Sequence, residues 1–351
     1  MRRFGIEPRT AAEQLQHDRP VGASEPFAPL PAPTGKAPYR LELASVLGSE
    51  PETLSLHVFG DSGGVKDPNP QNAVAAALIA DHKARPVSLA YHVGDEVYFN
   101  GAESEYGPQL YEPYAHYNVP LLGVPGNHDG EPEPGGEPSL AAFMANFCSP
   151  TPKLPPRWAE YQRDTMDQPN CYFTLLSKHA TIIGLYSNVP SGGVIEPDQY
   201  EWLVGELKDA PAGVPLIVAL HHPPYSVDAH HGGSAKMGKL LDTAFTASGR
   251  APEVVLSGHV HDYQWFVREW QGKPIGYGII GCSGYHNTHA LAPDAVAGTE
   301  IAPGVHYDYG YDAGFGFSRI DIEGSTIKGT FTGVSKDGTV TPNLHTWSAS
   351  A

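Results

Sequence analysis

The sequence predicts an α/β protein, and three observations carry that expectation. Short apolar runs end repeatedly at a glycine followed by a carboxylate, amide or imidazole. Segments with helical spacing separate the first three of these runs. Glycine (39) and proline (34) are both abundant, which predicts many loops between short elements rather than a helical bundle. Strands alternating with helices, with polar groups at the strand ends, form the β-α-β pattern whose site lies at the carboxyl edge of the sheet.

Residues 1–52 are rich in Pro, Ala and Glu, and Pro26, Pro29, Pro31 and Pro33 cannot continue a helix. An extended arm or linker is expected there, ahead of a catalytic domain over 53–351, with 39–46 as an edge strand. The first core strand is expected at 54–59, ending in Gly60-Asp61-Ser62-Gly63-Gly64. A helix at 73–82 follows, then a strand at 87–93 that stops at Gly94-Asp95, with Tyr98 three residues on. A second helix at 105–117 leads to a strand at 119–124 and to Pro125-Gly126-Asn127-His128-Asp129.

The Pro-rich stretch 131–168 holds one expected helix, 139–147. Strands at 171–176 and 181–186 precede a helix at 197–208. A strand at 214–220 runs into His221-His222, a helix at 235–247 follows, and 253–256 ends in Ser257-Gly258-His259-Val260-His261. Alternating segments at 263–270, 274–280, 316–322 and 326–332 predict a second, partly antiparallel sheet. Residues 294–314 read as a Gly- and Tyr-rich loop.

Composition narrows the function. The formal net charge is −17 and no basic stripe occurs, which argues against a nucleic-acid backbone binder. No stretch approaches the ~20 continuous apolar residues of a membrane span. A phosphorylated substrate would therefore draw its positive charge from metal ions. Three cysteines, Cys148, Cys171 and Cys282, are too few and too scattered for a disulfide framework or a thiolate zinc site. Met1-Arg2-Arg3 is not followed by an apolar segment, so a cytoplasmic location is expected, with periplasmic or secreted as the alternative if a leader has been removed.

Five strand ends carry ligand-type residues: Asp61, Asp95 with Tyr98, Asn127-His128, His221-His222, and His259 with His261. A phenolate beside a carboxylate suits a hard, highly charged cation, because only a strong Lewis acid deprotonates a phenol of pKa near about 10 at neutral pH. Two cations about 3.5–4 Å apart can clamp a transferring phosphoryl group from both sides. His57 and His92, within strands, are expected to be core hydrogen-bonding groups, and His286 and His289 to lie near the pocket rim.

At this point the sequence resembles a known family. G-D-S-G (60–63), G-D-E-V-Y (94–98), G-N-H-D (126–129), V-A-L-H (218–221) and G-H-V-H (258–261) resemble the five ordered motifs of the calcineurin-like metallophosphoesterases. The absence of a D-x-H first motif and the tyrosine in the second resemble, more narrowly, the purple acid phosphatases. Y-F-N-G (98–101) and the compact size resemble their small tartrate-resistant branch.

The resemblance, over about 54–345, implies a four-layer αββα sandwich of two mixed sheets. It implies hydrolysis of phosphate monoesters by a metal-bound hydroxide at a binuclear centre. The first metal, ferric in the family, would be held by Asp61, Asp95, Tyr98 and His261. The second, a divalent iron, zinc or manganese, would be held by Asp95, Asn127, His221 and His259, with Asp95 bridging. Such a centre keeps about one positive charge once its anionic ligands and a hydroxide are counted, and this draws phosphate to an acidic chain. His128 would protonate the leaving group, and His230, nine residues after His221, would face the substrate, with His231 beside it as a competing choice. His222 would be structural. The rival readings are a phosphodiesterase using the same centre and a non-catalytic metal- or phosphate-binding relative. The partner implied is a small phosphorylated substrate, not nucleic acid or a membrane.

Overall fold

A computed structural model describes residues 29–131, 136–188 and 193–351, so most of the expected N-terminal arm, residues 1–28, lies outside the described residues. The first described elements are β1 (Arg40–Glu42), α1 (Leu43–Leu47), β2 (Leu54–Phe59), α2 (Asn69–Ala84), β3 (Leu89–His92) and β4 (Leu121–Gly123). Then come α3 (Asn127–Gly130), α4 (Ala141–Phe147), β5 (Phe173–Leu176), β6 (Thr181–Gly184), α5 (Pro197–Asp209), β7 (Leu216–Ala219), α6 (Ala235–Ser248) and β8 (Val254–Ser257). The chain closes with β9 (Tyr263–Trp270), β10 (Lys273–Ile280), β11 (Glu300–Ala302), β12 (Val305–Tyr311), β13 (Phe315–Glu323), β14 (Thr326–Val334) and β15 (Val340–Ser350).

Among the described residues the strands form two mixed sheets. One has six strands in the order β15-β14-β13-β2-β3-β4, and the other has nine in the order β1-β5-β6-β7-β8-β10-β9-β12-β11. In the first, β2, β3 and β4 are parallel neighbours, and β13 runs antiparallel to β2. In the second, β6, β7, β8 and β10 are parallel. α2 carries the crossover from β2 to β3. Its first turn holds Pro70, whose fixed φ suits a helix start, and it ends at Arg85, which Pro86 holds extended. Ser234 opens α6 by accepting the Met237 N–H at 3.2 Å.

Side-chain alternation sets the layering. Ile182, Ile217, Ala219, Val254 and Leu256 join the large core that also holds Leu56, Val58, Ala90 and Leu122 of the six-stranded sheet. Their chain neighbours Ile183, Leu216, Val218 and Val255 point the other way, against Leu203 and Leu207 of α5 and Leu241 and Phe245 of α6. α2 covers β13 and β14 on the far side. The result is the expected helix–sheet–sheet–helix arrangement. At one end the sheets are tied by aromatic pairs: Trp265 stacks on Trp347 (4.0 Å) and Tyr263 on Phe331 (3.9 Å).

The structure departs from expectation in five places. The four alternating segments expected to make a second sheet are divided, β9 and β10 joining the nine-stranded sheet and β13 and β14 the six-stranded one, beside β2. The helix expected at 105–117 is two short irregular turns, Glu103–Glu105 and Gly107–Tyr111, because Pro108 and Pro113 interrupt a regular helix. The edge strand expected over 39–46 is cut to Arg40–Glu42, and the chain then turns into α1. The 294–314 loop contains β11 and β12. The period-2 series Val305, Tyr307, Tyr309, Tyr311 carries β12, broken by a bulge between Tyr307 and Tyr309. β15 was not anticipated. Pro342 sits where its pairing to β14 shifts register, and an edge strand tolerates a proline there. No helix among the described residues is long and apolar enough to cross a membrane.

Candidate metal centre

Each ligand-type residue follows the carboxyl end of a strand. Asp61 follows β2, Asp95 with Tyr98 follows β3, and Asn127-His128 follows β4, three parallel neighbours of one sheet. His221 follows β7, and His259 and His261 follow β8, parallel neighbours in the other sheet. Side chains from both sheets therefore meet over one edge of the sandwich.

The backbone there is held in uncommon conformations. Asp61 (φ 53), Asp95 (φ 56) and His259 (φ 68) all lie in the left-handed region, which costs on the order of 1–3 kcal/mol each for a residue with a Cβ. Gly94 lies at φ 99, and a Cβ there would stand 2.4 Å from His221 Nδ1. A Cβ on Gly258 would stand 2.4 Å from Asp61 Oδ2. These glycines let loops from different strands touch.

The polar contacts fall into two sets. In the first, Asp61 Oδ1 lies 3.3 Å from the Tyr98 hydroxyl and 3.4 Å from His261 Nε2. In the second, Asn127 Oδ1 lies 3.1 Å from His221 Nε2 and 3.0 Å from His259 Nδ1, and Asp95 Oδ2 lies 3.3 Å from His221 Nε2. Donors held by one cation at about 2.0–2.2 Å stand about 3.0–3.5 Å from one another, so the donor set fits coordinated metal. Asp61, Asp95 and His221, all buried, offer atoms within 4.8 Å of one another and could hold a metal ion.

Backbone carbonyls aim the rings. His221 Nδ1 donates to Val93 O (2.9 Å) and His261 Nδ1 to Asn287 O (2.8 Å), which turns Nε2 of each ring toward the carboxylates. Burial opposes protonation of His221, but Asp95 and then Asp61 push it up to about 9. Burial, then Asp95 and Asp61, push the Tyr98 phenol well above its ordinary value. Its ionisation requires a strong Lewis acid, as the sequence argument held.

His128 lies at the mouth. Its backbone N–H donates to Asp95 Oδ1 (2.9 Å), its Nδ1–H donates to Phe99 O (2.7 Å), and its side chain is 27% exposed. Of the two neighbouring histidines, it is His231 whose ring stacks on His259 (4.9 Å) and approaches His261 (6.2 Å). The ring of His230 lies 5.1 Å from His289, which His231 also meets, at 4.6 Å. His222 shares a hydrogen bond with Ser187 Oγ (3.0 Å) and packs on His221 and His259. His92 contacts Ser62 Oγ (2.9 Å), and burial lowers it to about 4. His289 stacks on His261 (4.3 Å) and pairs with Asp228 (3.1 Å), and His286 lies beside Tyr285 at the rim.

Two residues the sequence reading did not single out organise the loops. Asp129 accepts N–H bonds from Gly126 (2.7 Å), Asp95 (2.9 Å), Val97 (3.2 Å) and Glu96 (3.3 Å), locking the loops after β3 and β4 together. Its place as the last residue of G-N-H-D was the available signal. Gln109 brackets Tyr98, donating to its carbonyl (2.8 Å) and accepting its N–H (3.0 Å), and no motif marks it.

Comparison with known proteins gives the family and the fold. Residues 54–263, more than half of the chain, match the family described as Calcineurin-like phosphoesterase. Two proteins of Arabidopsis thaliana align with part of the chain. Purple acid phosphatase 22 is 29% identical over 128 residues, 35% of this chain and 28% of that protein. Probable purple acid phosphatase 20 is 30% identical over 124 residues, 33% of this chain and 28% of that protein. The alignments thus span little more than a quarter of either relative's length. Among solved structures, GAP50, titled as the anchor in the inner membrane complex of Plasmodium, superposes with a TM-score of 0.58 at 15% identity, covering 85% of this chain and 89% of that one. PhoD superposes at 0.53 and 12% identity, covering 91% and 71%. These two show the shared fold. From the motifs, the two mixed sheets and the family match, the chain belongs to the calcineurin-like phosphoesterases, as a purple acid phosphatase-like member of that metal-dependent family.

Proposed function

We propose that this protein hydrolyses phosphate monoesters at a binuclear centre, the first ion ferric and the second a divalent iron, zinc or manganese. The observation that carries the reading is the division of the polar contacts into two sets, Asp61–Tyr98–His261 and Asn127–His221–His259, with Asp95 beside the second. Asp61, Tyr98 and His261 would hold one ion and Asn127, His221 and His259 the other, with Asp95 bridging. Bound there, the pair would supply Lewis-acid charge for the phosphoryl oxygens and lower the pKa of the attacking water. The chemistry is assigned to residues 53–351, with the preceding segment contributing β1.

The chain's own residues do the rest. With Nδ1–H engaged by Phe99 O, the proton His128 can deliver is on Nε2. As the water oxygen bonds to phosphorus, the ester P–O bond breaks and the leaving oxygen takes that proton. Solvent then reprotonates Nε2, and the products are an alcohol and inorganic phosphate. His230 would face the substrate as the second histidine, with His231, whose ring stacks on His259, as the alternative. The sequence Tyr98-Phe99-Asn100-Gly101 supports the tartrate-resistant branch.

Metal analysis of purified protein, with p-nitrophenyl phosphate assayed beside its bis ester, tests the proposal. Two ions per chain and faster turnover of the monoester are expected. A strong preference for the bis ester would make the protein a phosphodiesterase. Phosphate binding without turnover of either ester would leave only a binding function.

A further inference from the structure

We infer that Gln71 and Gln109 are positioning residues for the first metal position, a relay of two buried amides that sets how far Tyr98 stands from Asp61. The inference rests on the reading of Asp61 and Tyr98 as ligands of one ion and deepens it. Gln71 lies in the first turn of α2 and Gln109 in the irregular turn Gly107–Tyr111, and neither belongs to a ligand motif. Both are buried, at 0% and 2% exposure. Their contacts form one continuous path. Gly64 N–H, three residues after Asp61, donates to Gln71 Oε1 (2.9 Å), and Gln71 Nε2 donates to Gln109 O (2.6 Å). Gln109 Oε1 then accepts the Tyr98 N–H (3.0 Å), while its Nε2 donates to Tyr98 O (2.8 Å) and to Glu105 Oε2 (2.9 Å). Both hydrogens of that amide are used and its oxygen is occupied, so it cannot turn over without losing all three bonds.

The loops after β2 and β3 are also joined directly, where Asp61 N–H donates to Gly94 O (2.9 Å) and Ser62 N–H to Asp95 O (3.2 Å). The two glutamines make a second tie, farther along both loops. Two points of attachment hold a relative orientation that a single one leaves free. With both in place, the Tyr98 hydroxyl comes to 3.3 Å from Asp61 Oδ1. The packing is shaped for this tie as well. A Cβ on Gly63 would stand 2.4 Å from Gln109 Oε1 and 2.8 Å from Tyr98 Cδ2, so the glycine lets the amide and the phenol ring press against the Asp61 loop. Amides suit both positions because each supplies donors and an acceptor and carries no charge. A carboxylate in either place would add another buried anion to a region that already holds Asp61 and Asp95. An apolar side chain would leave the buried N–H and C=O groups of Gly64 and Tyr98 unpaired.

The test compares the full chain as wild type, Gln109→Met and Gln71→Met, each loaded with iron and oxidised. Methionine keeps the length of glutamine and removes its hydrogen bonds. Gln109→Met should shift and weaken the phenolate-to-iron absorption and lower the affinity for iron by about 10- to 100-fold. Gln71→Met, which leaves the Gln109 bracket in place, should move both in the same direction to a smaller degree, and it carries the comparison should Gln109→Met not fold. Amide hydrogen exchange over 96–101 in the metal-free protein should quicken in both variants. An absorption unchanged in position and in strength per bound iron refutes the relay whatever the Tm, because the glutamines would then serve stability alone. If wild-type protein binds two ions with no such absorption, the reading of Tyr98 as a ligand fails. In that case quickened exchange with weakened iron binding in the variants upholds the relay as a device that shapes the cleft, and unchanged values refute it too.

Discussion

Tyr98, in the loop after β3, and His128, in α3, have ring centroids 4.6 Å apart, yet the proposed roles differ in kind. If Tyr98 is a ferric ligand, oxidised iron-loaded protein should show a visible phenolate-to-iron absorption, and Tyr98→Phe should abolish it. A band retained in that variant would remove Tyr98 from the ligand set. Among the described residues the His128 ring nitrogens bond to no donor atom of the cluster, and Nδ1 is committed to Phe99 O. His128→Ala should therefore lower kcat by about 10²–10⁴ while both ions stay bound. Metal analysis of the variant separates the outcomes, since loss of an ion would make His128 a ligand. The sequence marked both residues by their motifs. It favoured His230 over its neighbour His231, but where the two rings lie depends on how the turn after β7 is pinned by Asp228, which accepts N–H bonds from both at 3.0 and 2.6 Å.

Between elements, a buried carboxylate, Asp129, and a half-buried one, Asp81, act as fasteners. Asp129 serves four N–H groups from the β3 and β4 loops, so Asp129→Ala leaves several buried donors unsatisfied. A loss of about 3 kcal/mol or more is expected in urea unfolding, together with weaker metal retention. Unchanged stability would mean that water replaces the carboxylate. Away from the site, Asp81 on α2 accepts from His57 of β2 (2.9 Å), Arg319 of β13 (3.0 Å) and Arg85 (2.9 Å), clamping helix to sheet. His57 in turn accepts from the Tyr117 hydroxyl at 2.7 Å. Burial opposes ionisation of Asp81, but His57, Arg85 and Arg319 hold it well below the ordinary carboxylate range. A depressed folded value means the contribution is fully present above the unfolded value of 3.8 and is lost as pH falls through the folded one. Asp81→Asn should cost about 1–3 kcal/mol at pH 7 and flatten the acid loss below about pH 4, read from denaturant midpoints across pH. A wild-type-like acid slope in the variant would rule this clamp out as its source.

At the scale of the molecule, the cleft joins two sheets through side chains that are far apart in sequence; His259 N–H reaches Asp61 Oδ2 at 2.8 Å across 198 residues. Cations bound there would hold the native state alone, and a ligand at 100 times its dissociation constant adds about 2.7 kcal/mol to stability. Chelation should therefore lower Tm by several degrees, restored in a dose-dependent way by added metal, and Asp95→Asn should remove most of that dependence. A Tm indifferent to chelator in differential scanning calorimetry would show that the cleft draws no stability from metal.

The short-range rules settle which residues end each strand. An apolar run, a glycine that admits close approach or a left-handed turn, and a donor side chain are all local features, so the five motifs and the α/β class were legible before any folding. β12 and β15 were not, because a bulge and an edge proline disturb the period that marks a strand. Only the tertiary structure decided the strand order, the Asp129 and Gln109 brackets and the approach of His231 to His259. Each of those depends on which loops lie side by side once two sheets have packed, and spacing along a chain carries no record of that.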